Sequence, residues 1–521
     1  MSSSLRLRVH SSLKPPNDRQ SFRSLSGSSS LISLSIRGLY NELIATTRMS
    51  KLSDILASDR ISRTQAFSSY YSTPGEGIDS LLHSSATMDA GNPIRKMISL
   101  LPRMYHTPLT CAMWEETSSI FQKADRSAFD RTSQRHLVAK TPSQSRTSFV
   151  HKFSSDYILR EQYRNPWNEI RVEKLVEDLD ALAAIISYKH CCNNEGTMGP
   201  LLLVTASVDR MAIKKPISVD ADLKMAGAVT WVGKSSMEIQ LEVTQPIQGI
   251  SNPSDRIALV ANFQFVGRDM KTGKSAPVNK ILPETEQEKL LWEEAEERNQ
   301  MRKRRREEKT AGADTENIYG ERVNALLAEG QVLSDMKALA DRDSILIKDT
   351  CHENSLICLP QQRNIHGTIF GGFLMRKAFE LAFSNTYAFA GVPPQFVEVD
   401  HIDFLKPVDV GNFLRLKSCV LYTELEHPSK PLIKVEVIAQ VTRPELRVIE
   451  ESNKFYFTFT VQPEAIADGL RIPKVLPATE DEARRVLERM DAEHCQMAKP
   501  FKTRQEVEEI ENLTAKFLGR M

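Results

Sequence analysis

Two stretches of this chain, Val208-Asp209-Arg210-Met211-Ala212-Ile213-Lys214-Lys215-Pro216-Ile217 and Val399-Asp400-His401-Ile402-Asp403-Phe404-Leu405-Lys406-Pro407-Val408, read as copies of one another. In both, an aspartate precedes a Lys-Pro pair by the same interval. Downstream, Leu223 and Val229 match Leu414 and Val420 in register. A repeat this long means two copies of one domain rather than the short period of a solenoid.

Working outward, the elements around each stretch also correspond. Ahead of the first lies an alternating run at 148–153, then a helical segment at 172–188. There Leu175, Leu179, Leu182 and Ile186 recur at three- and four-residue steps and make one buried face. Strand-like runs follow at 201–209, 222–232, 236–244 and 257–266. The second copy repeats the order: a short strand at 355–359, a helix at 373–389, and strands at 396–404, 414–423, 432–442 and 454–461. The first copy carries a longer helix-to-strand loop, around Cys191 to Pro200. A strand, a central helix and then a bent antiparallel sheet is an α+β pattern, the order of a hotdog domain, here twice in tandem. Residues 146–285 and 336–465 are the two expected units.

The flanking segments differ in composition. Residues 1–70 open basic, Ser-rich and nearly free of acids, the signature of an organelle transit peptide and leader, here assigned to mitochondria and the matrix. Residues 71–145 read as a flexible extension, 286–335 as a charged helical linker and 466–521 as a charged helical tail. The run Arg302-Lys303-Arg304-Arg305-Arg306 is flanked by acids, so it reads as a solvated helix face rather than a nucleic-acid site. A formal net charge of +1 also argues against a dedicated nucleic-acid binder. No apolar stretch approaches the length of a membrane span. Seven cysteines without a C-x-x-C pair suggest neither a disulfide framework nor a zinc site.

The chemistry is expected at Asn364-Ile365-His366-Gly367-Thr368-Ile369-Phe370-Gly371-Gly372. Adjacent glycines opening a helix allow close approach to the backbone. The helix N-terminus offers unpaired N–H donors and a partial positive charge. Such a place can hold a carbonyl oxygen that gains negative charge under attack. The glycines could equally serve packing or capping.

The run R-N-I-H-G-T-I-F-G-G-F-L-M-R-K-A-F-E-L-A, with D-H-I-D-F-L-K-P-V-D-V-G after it, resembles the double-hotdog acyl-coenzyme A thioesterases of the mitochondrial thioesterase 9 type. The resemblance spans roughly 146–465 and implies thioester hydrolysis at a composite site. One domain supplies an Asn just before its helix, and the other an Asp within its helix. Asn364 matches the first role, with Gly371 and Gly372 as oxyanion donors. The acid position in the second copy falls on Phe379, while aligning the helices puts Asp180 there in the first copy, with Asp178 as competitor. Asn165 precedes Asp180 by the family spacing, but no Gly-Gly follows it. One competent site per chain is therefore expected. His366 is a possible auxiliary. Lys214, Lys215, Lys234 and Lys406 are candidates for the coenzyme A phosphates. The resemblance implies an acyl-coenzyme A substrate, homo-oligomers, and no metal or redox cofactor. The alternatives are a dehydratase using His366 with Glu380, and a non-catalytic acyl-coenzyme A scaffold.

Overall fold

The computed structural model describes residues 107–113, 115, 137–193, 201–246, 256–311, 315–335, 343–364, 367–427 and 429–497. The expected transit peptide, most of the extension, His366 and the last stretch of the tail lie outside them. In chain order the first part contains β1 (Ala139–Lys140), α1 (Pro142–Ser145), β2 (Thr147–His151), α2 (Tyr157–Gln162) and α3 (Val172–Cys191). Then come β3 (Leu201–Ile213), β4 (Leu223–Val232), β5 (Ser236–Thr244), β6 (Ile257–Asp269) and β7 (Lys280–Ile281). Two long helices follow, α4 (Glu286–Ala311) and α5 (Thr315–Asp335). The remainder is β8 (Ser344–Leu346), β9 (His352–Ile357), α6 (Gly371–Ala390), β10 (Gln395–Phe404), β11 (Phe413–Glu424), β12 (Leu432–Arg443), β13 (Val448–Thr460), α7 (Pro463–Ala467), β14 (Lys474–Leu476) and α8 (Glu480–Met497).

One antiparallel sheet of ten strands runs β2-β4-β5-β6-β3-β10-β13-β12-β11-β9. It is a palindrome: five strands of the first copy meet five of the second where β3 pairs with β10. Each half packs around its own helix, α3 against β2 to β6 and α6 against β9 and β11 to β13, and the two helices pack on each other. These are two hotdogs in tandem. Even the irregularities repeat. Bulges at Thr205/Ser207, Val208/Arg210 and Val229/Trp231 recur at Phe396/Glu398, Val399/His401 and Val420/Tyr422. Each recurrence lies 191 residues (399 − 208) downstream, the offset of the sequence repeat. A bulge bends its strand and sharpens the twist, so matched bulges curl both halves around their helices in the same way.

Leu175, Leu179, Leu182 and Ile186 are buried in the core, as their spacing implies, together with Phe263 and Phe265 and the row Phe455, Phe457 and Phe459. Three flanking segments pack on this core. Residues 107–113, within the presumed flexible extension, pack Leu109 and Met113 into the core, and the Thr107 hydroxyl donates to Asp178 on α3. The expected linker and tail are outer layers. α4 lies on β4, where Arg298 reaches buried Glu238 at 2.7 Å and Arg302 pairs with Asp209. α8 lies on β11 in the same manner, with Arg485 on Glu436 and Arg489 near Asp400 at 3.8 Å. Asp209 and Asp400 are the paired aspartates of the repeat, so each copy receives an arginine from the helix that follows its sheet.

Candidate active site

The first turns of α6 rest against the middle of α3, and there the two copies contribute to one place. Asp180, on α3, is fully buried. Its Oδ1 accepts from the Thr205 hydroxyl on β3 at 2.9 Å. Its Oδ2 accepts no well-formed hydrogen bond among the described residues and faces Gly371. A Cβ at Gly371 would stand 3.1 Å from that oxygen, beside the ring of Phe404. A Cβ at Gly372 would meet the Phe370 ring at 2.5 Å and the Glu177 carbonyl at 3.0 Å. Gly372 is thus held by close packing, while at Gly371 a methyl would crowd the Asp180 carboxylate. Burial pushes the Asp180 carboxyl up to about 7, with the Thr205 hydroxyl and the Gly372 N–H pulling the other way.

Asn364 stands in the turn just ahead of α6. Its backbone N–H donates to the Thr368 carbonyl at 2.6 Å, its Nδ2 donates to the Thr368 hydroxyl at 2.8 Å, and Gly367 takes a left-handed φ of 90° to close the turn. An Arg363–Ile369 bridge and the Ile369 N–H on Val408 carbonyl (2.7 Å) tie that turn to the chain beyond β10. The first copy has the matching bridge, Arg164–Ile170, and in it Asn165 Oδ1 accepts from the Trp167 and Glu169 N–H groups. Its helix then opens with Val172-Glu173 in place of two glycines.

Asp178 has a different occupation. It accepts from Tyr163 and Thr107 and bonds His151 Nε2 at 2.8 Å, all in the core. Of the two aspartates, Asp180 is therefore the one whose carboxylate faces the glycine start of α6. Glu380 is held by Lys377 at 2.7 Å, with Arg376 and Arg171 at 3.8 and 3.9 Å. Of the four lysines, Lys406 follows Phe404 at the Asp180 end of β10, is exposed, and reaches Glu450 at 3.5 Å. Lys234 is exposed in the β4–β5 turn. Lys214 and Lys215 come after the far end of β3, nine residues or more beyond Thr205 and so about 30 Å along the strand. Among the described residues no group of three or more His, Cys, Asp or Glu could hold a metal ion.

Thr205 escaped the sequence reading, although the repeat carries its signal. Its counterpart under the strand offset is Phe396, and that of Asp180 is Phe379. Those rings meet edge to face at 5.1 Å, inside a cluster with Phe457 and Phe459. The acid and its hydroxyl partner are therefore both aromatic in the second copy.

No family model matches the chain. Curated relatives do. A mitochondrial acyl-coenzyme A thioesterase 4 of Humulus lupulus is 65% identical over 409 residues, covering 78% of this chain and 77% of its own. A chloroplastic acyl-coenzyme A thioesterase 2 of the same plant is 63% identical, covering 78% and 93%. The mitochondrial acyl-coenzyme A thioesterase 9 of Mus musculus is 32% identical over 354 residues, covering 66% and 76%. Such identity across both copies, on a double hotdog with an acid set against a glycine-opened helix, shows that this chain belongs to the acyl-coenzyme A thioesterases, hydrolases of the acyl-coenzyme A thioester.

Proposed function

We propose that hydrolysis takes place at one composite site per chain, with Asp180 from the first copy acting across the helix contact from Asn364, Gly371 and Gly372 of the second. The carrying observation is the Oδ2 of a fully buried aspartate facing the glycine start of the opposite helix. A carboxyl near pH 7 is a far better base than a solvated one, suited to taking a proton from water as the water attacks the thioester carbonyl. Thr205 fixes the orientation of the carboxylate through Oδ1, leaving Oδ2 for the water. Donors at the start of α6, with the Asn364 side chain, stabilise the oxyanion. Coenzyme A leaves as a thiolate, so no strong general acid is needed. Asp180 acts here as base rather than nucleophile, and no acyl-enzyme forms.

The dehydratase alternative is disfavoured because Glu380 is occupied by its own basic neighbours. Further parts of the proposal are units at 146–285 and 336–465, a homo-oligomer, import into the mitochondrial matrix, and coenzyme A phosphates met by Lys406 and Lys234 rather than by Lys214 and Lys215.

The test is hydrolysis of an acyl-coenzyme A series by the full chain, beside Asp180→Asn and Asn364→Ala. Free thiol release by the parent, with both folded variants at least about 100-fold slower, supports the site. Hydration of enoyl thioesters without thiol release, or binding without turnover, overturns it. An acyl adduct on Asp180 detected by mass would reject the base role alone.

A further inference from the structure

Cys351 and Cys419 lie away from the site. Cys351 ends a short 3-10 turn (Ile347–Thr350) just before edge strand β9, and Cys419 is on β11. The β9–β11 ladder pairs His352 with Ser418 and Glu353 with Lys417. One step further along that register sets Cys351 directly opposite Cys419. The step after it is occupied too, since the Val420 N–H donates to the Thr350 hydroxyl at 3.0 Å. The two cysteines are thus bracketed on both sides by contacts in one register. Directly opposed antiparallel residues have Cα atoms about 4.5–5.5 Å apart, inside the range of about 4.4–6.8 Å that a disulfide spans.

The chemical setting is unequal. Cys351 is exposed and Cys419 buried. A hydrogen bond from the Cys419 thiol is the main influence holding the Cys351 thiol down, at about 7, while the same contact and burial push Cys419 up. Behind Cys419, Glu436 Oε2 lies 3.9 Å from its Sγ and is paired with Arg485 of α8. An accessible, acidified thiol beside a buried one is the arrangement of an attacking and a resolving cysteine.

We propose that Cys351 and Cys419 form a peroxide-sensitive dithiol that closes reversibly into a cross-strand disulfide between β9 and β11. The Cys351 thiolate attacks one peroxide oxygen. An S–O bond forms, the O–O bond breaks, and hydroxide leaves, taking up a proton as water. Cys419 then attacks the Cys351 sulfur. The S–S bond forms, the S–O bond breaks, and the departing hydroxide leaves with the Cys419 proton as a second water. Two thiols have lost two electrons to one peroxide, and a dithiol reductant reverses the change. The disulfide would pin the start of β9, the strand that leads into the Asn364 turn.

The experiment treats the reduced full chain with hydrogen peroxide, blocks remaining thiols, and maps peptides without reduction. A Cys351–Cys419 linked peptide that disappears on adding dithiothreitol is expected. Cys419→Ser should instead leave Cys351 as a sulfenic acid that dimedone traps, and Cys351→Ser should lower peroxide consumption at this pair at least tenfold. The proposal is overturned by unmodified Cys351 and Cys419 after treatment, or by dimedone-labelled Cys351 in the parent with no linked peptide. A link between Cys191 and Cys192, with Cys351 left free, overturns it as well.

Discussion

Asp180 is costly to keep, and the cost has a sign that can be measured. Its ordinary value is 3.8 and burial lifts it to about 7. The unfolded chain therefore releases a proton that the folded chain still holds between those values, so stability falls as pH rises through the window. Above it the folded chain carries a buried carboxylate. Asp180→Asn should then stabilise the fold at pH 8 by on the order of 4 kcal/mol and by little near pH 4. The same variant should cut kcat/KM by about 1000-fold. Denaturant melts at the two pH values, beside thiol-release assays, check both signs, and an Asn variant less stable at pH 8 would refute the burial argument. In the parent, kcat/KM should rise with pH around 7 as the base loses its proton. Gly371→Ala tests the neighbouring contact. Its methyl would sit 3.1 Å from Oδ2, so activity should drop at least tenfold while the fold persists; Gly372→Ala, driven into the Glu177 backbone, should lose stability instead.

At the scale of the element, α3 departs from the usual helix. The stripe Leu175, Leu179, Leu182, Ile186 was legible from spacing alone, but Glu177, Asp178 and Asp180 are equally buried. Acids on a helix normally mark its wet face. What encloses these three is distant in sequence: Arg376 of α6 for Glu177 at 2.9 Å, the Thr107 segment, Tyr163 and His151 for Asp178, and Thr205 with Gly371 for Asp180. The repeat and the Gly-Gly motif pointed to the place of the proposed site, yet the burial that raises the Asp180 carboxyl arises only when the two helices meet. The tail was opaque for the same reason, since an Arg on a charged helix does not announce a buried acid on a sheet. The helix contact itself can be probed. Arg376→Met strips buried Glu177 of its cation and should cost about 3–5 kcal/mol, whereas Glu177→Gln/Arg376→Met should recover most of that loss. If the double variant is no more stable than Arg376→Met, the pair is not what the helix crossing depends on.

For the molecule as a whole, the palindromic sheet makes two equivalent places where a helix start meets the flank of the opposite helix. They have been filled differently. One holds Asp180, Thr205 and two glycines; the other holds Phe379, Phe396 and the side chains of Val172 and Glu173. Phe379 is buried among Phe396, Phe457 and Phe459, so apolar packing occupies the position of the acid. Where the glycines would open the backbone, Val172 is itself buried. On the proposed site, symmetry of fold does not bring symmetry of binding, and a non-hydrolysable thioether analogue of acyl-coenzyme A should bind once per chain. Calorimetric titration gives that number directly. Asp180→Asn should leave it at one, because the variant replaces the proposed base with a side chain of the same shape. Phe379→Asp with Phe396→Thr should not raise it, since the glycine opening would still be missing and a buried acid would have no helix N-terminus exposed to it. Two equivalents bound by the parent would mean that the aromatic place accepts ligand, and the proposed division of labour between the copies would fail.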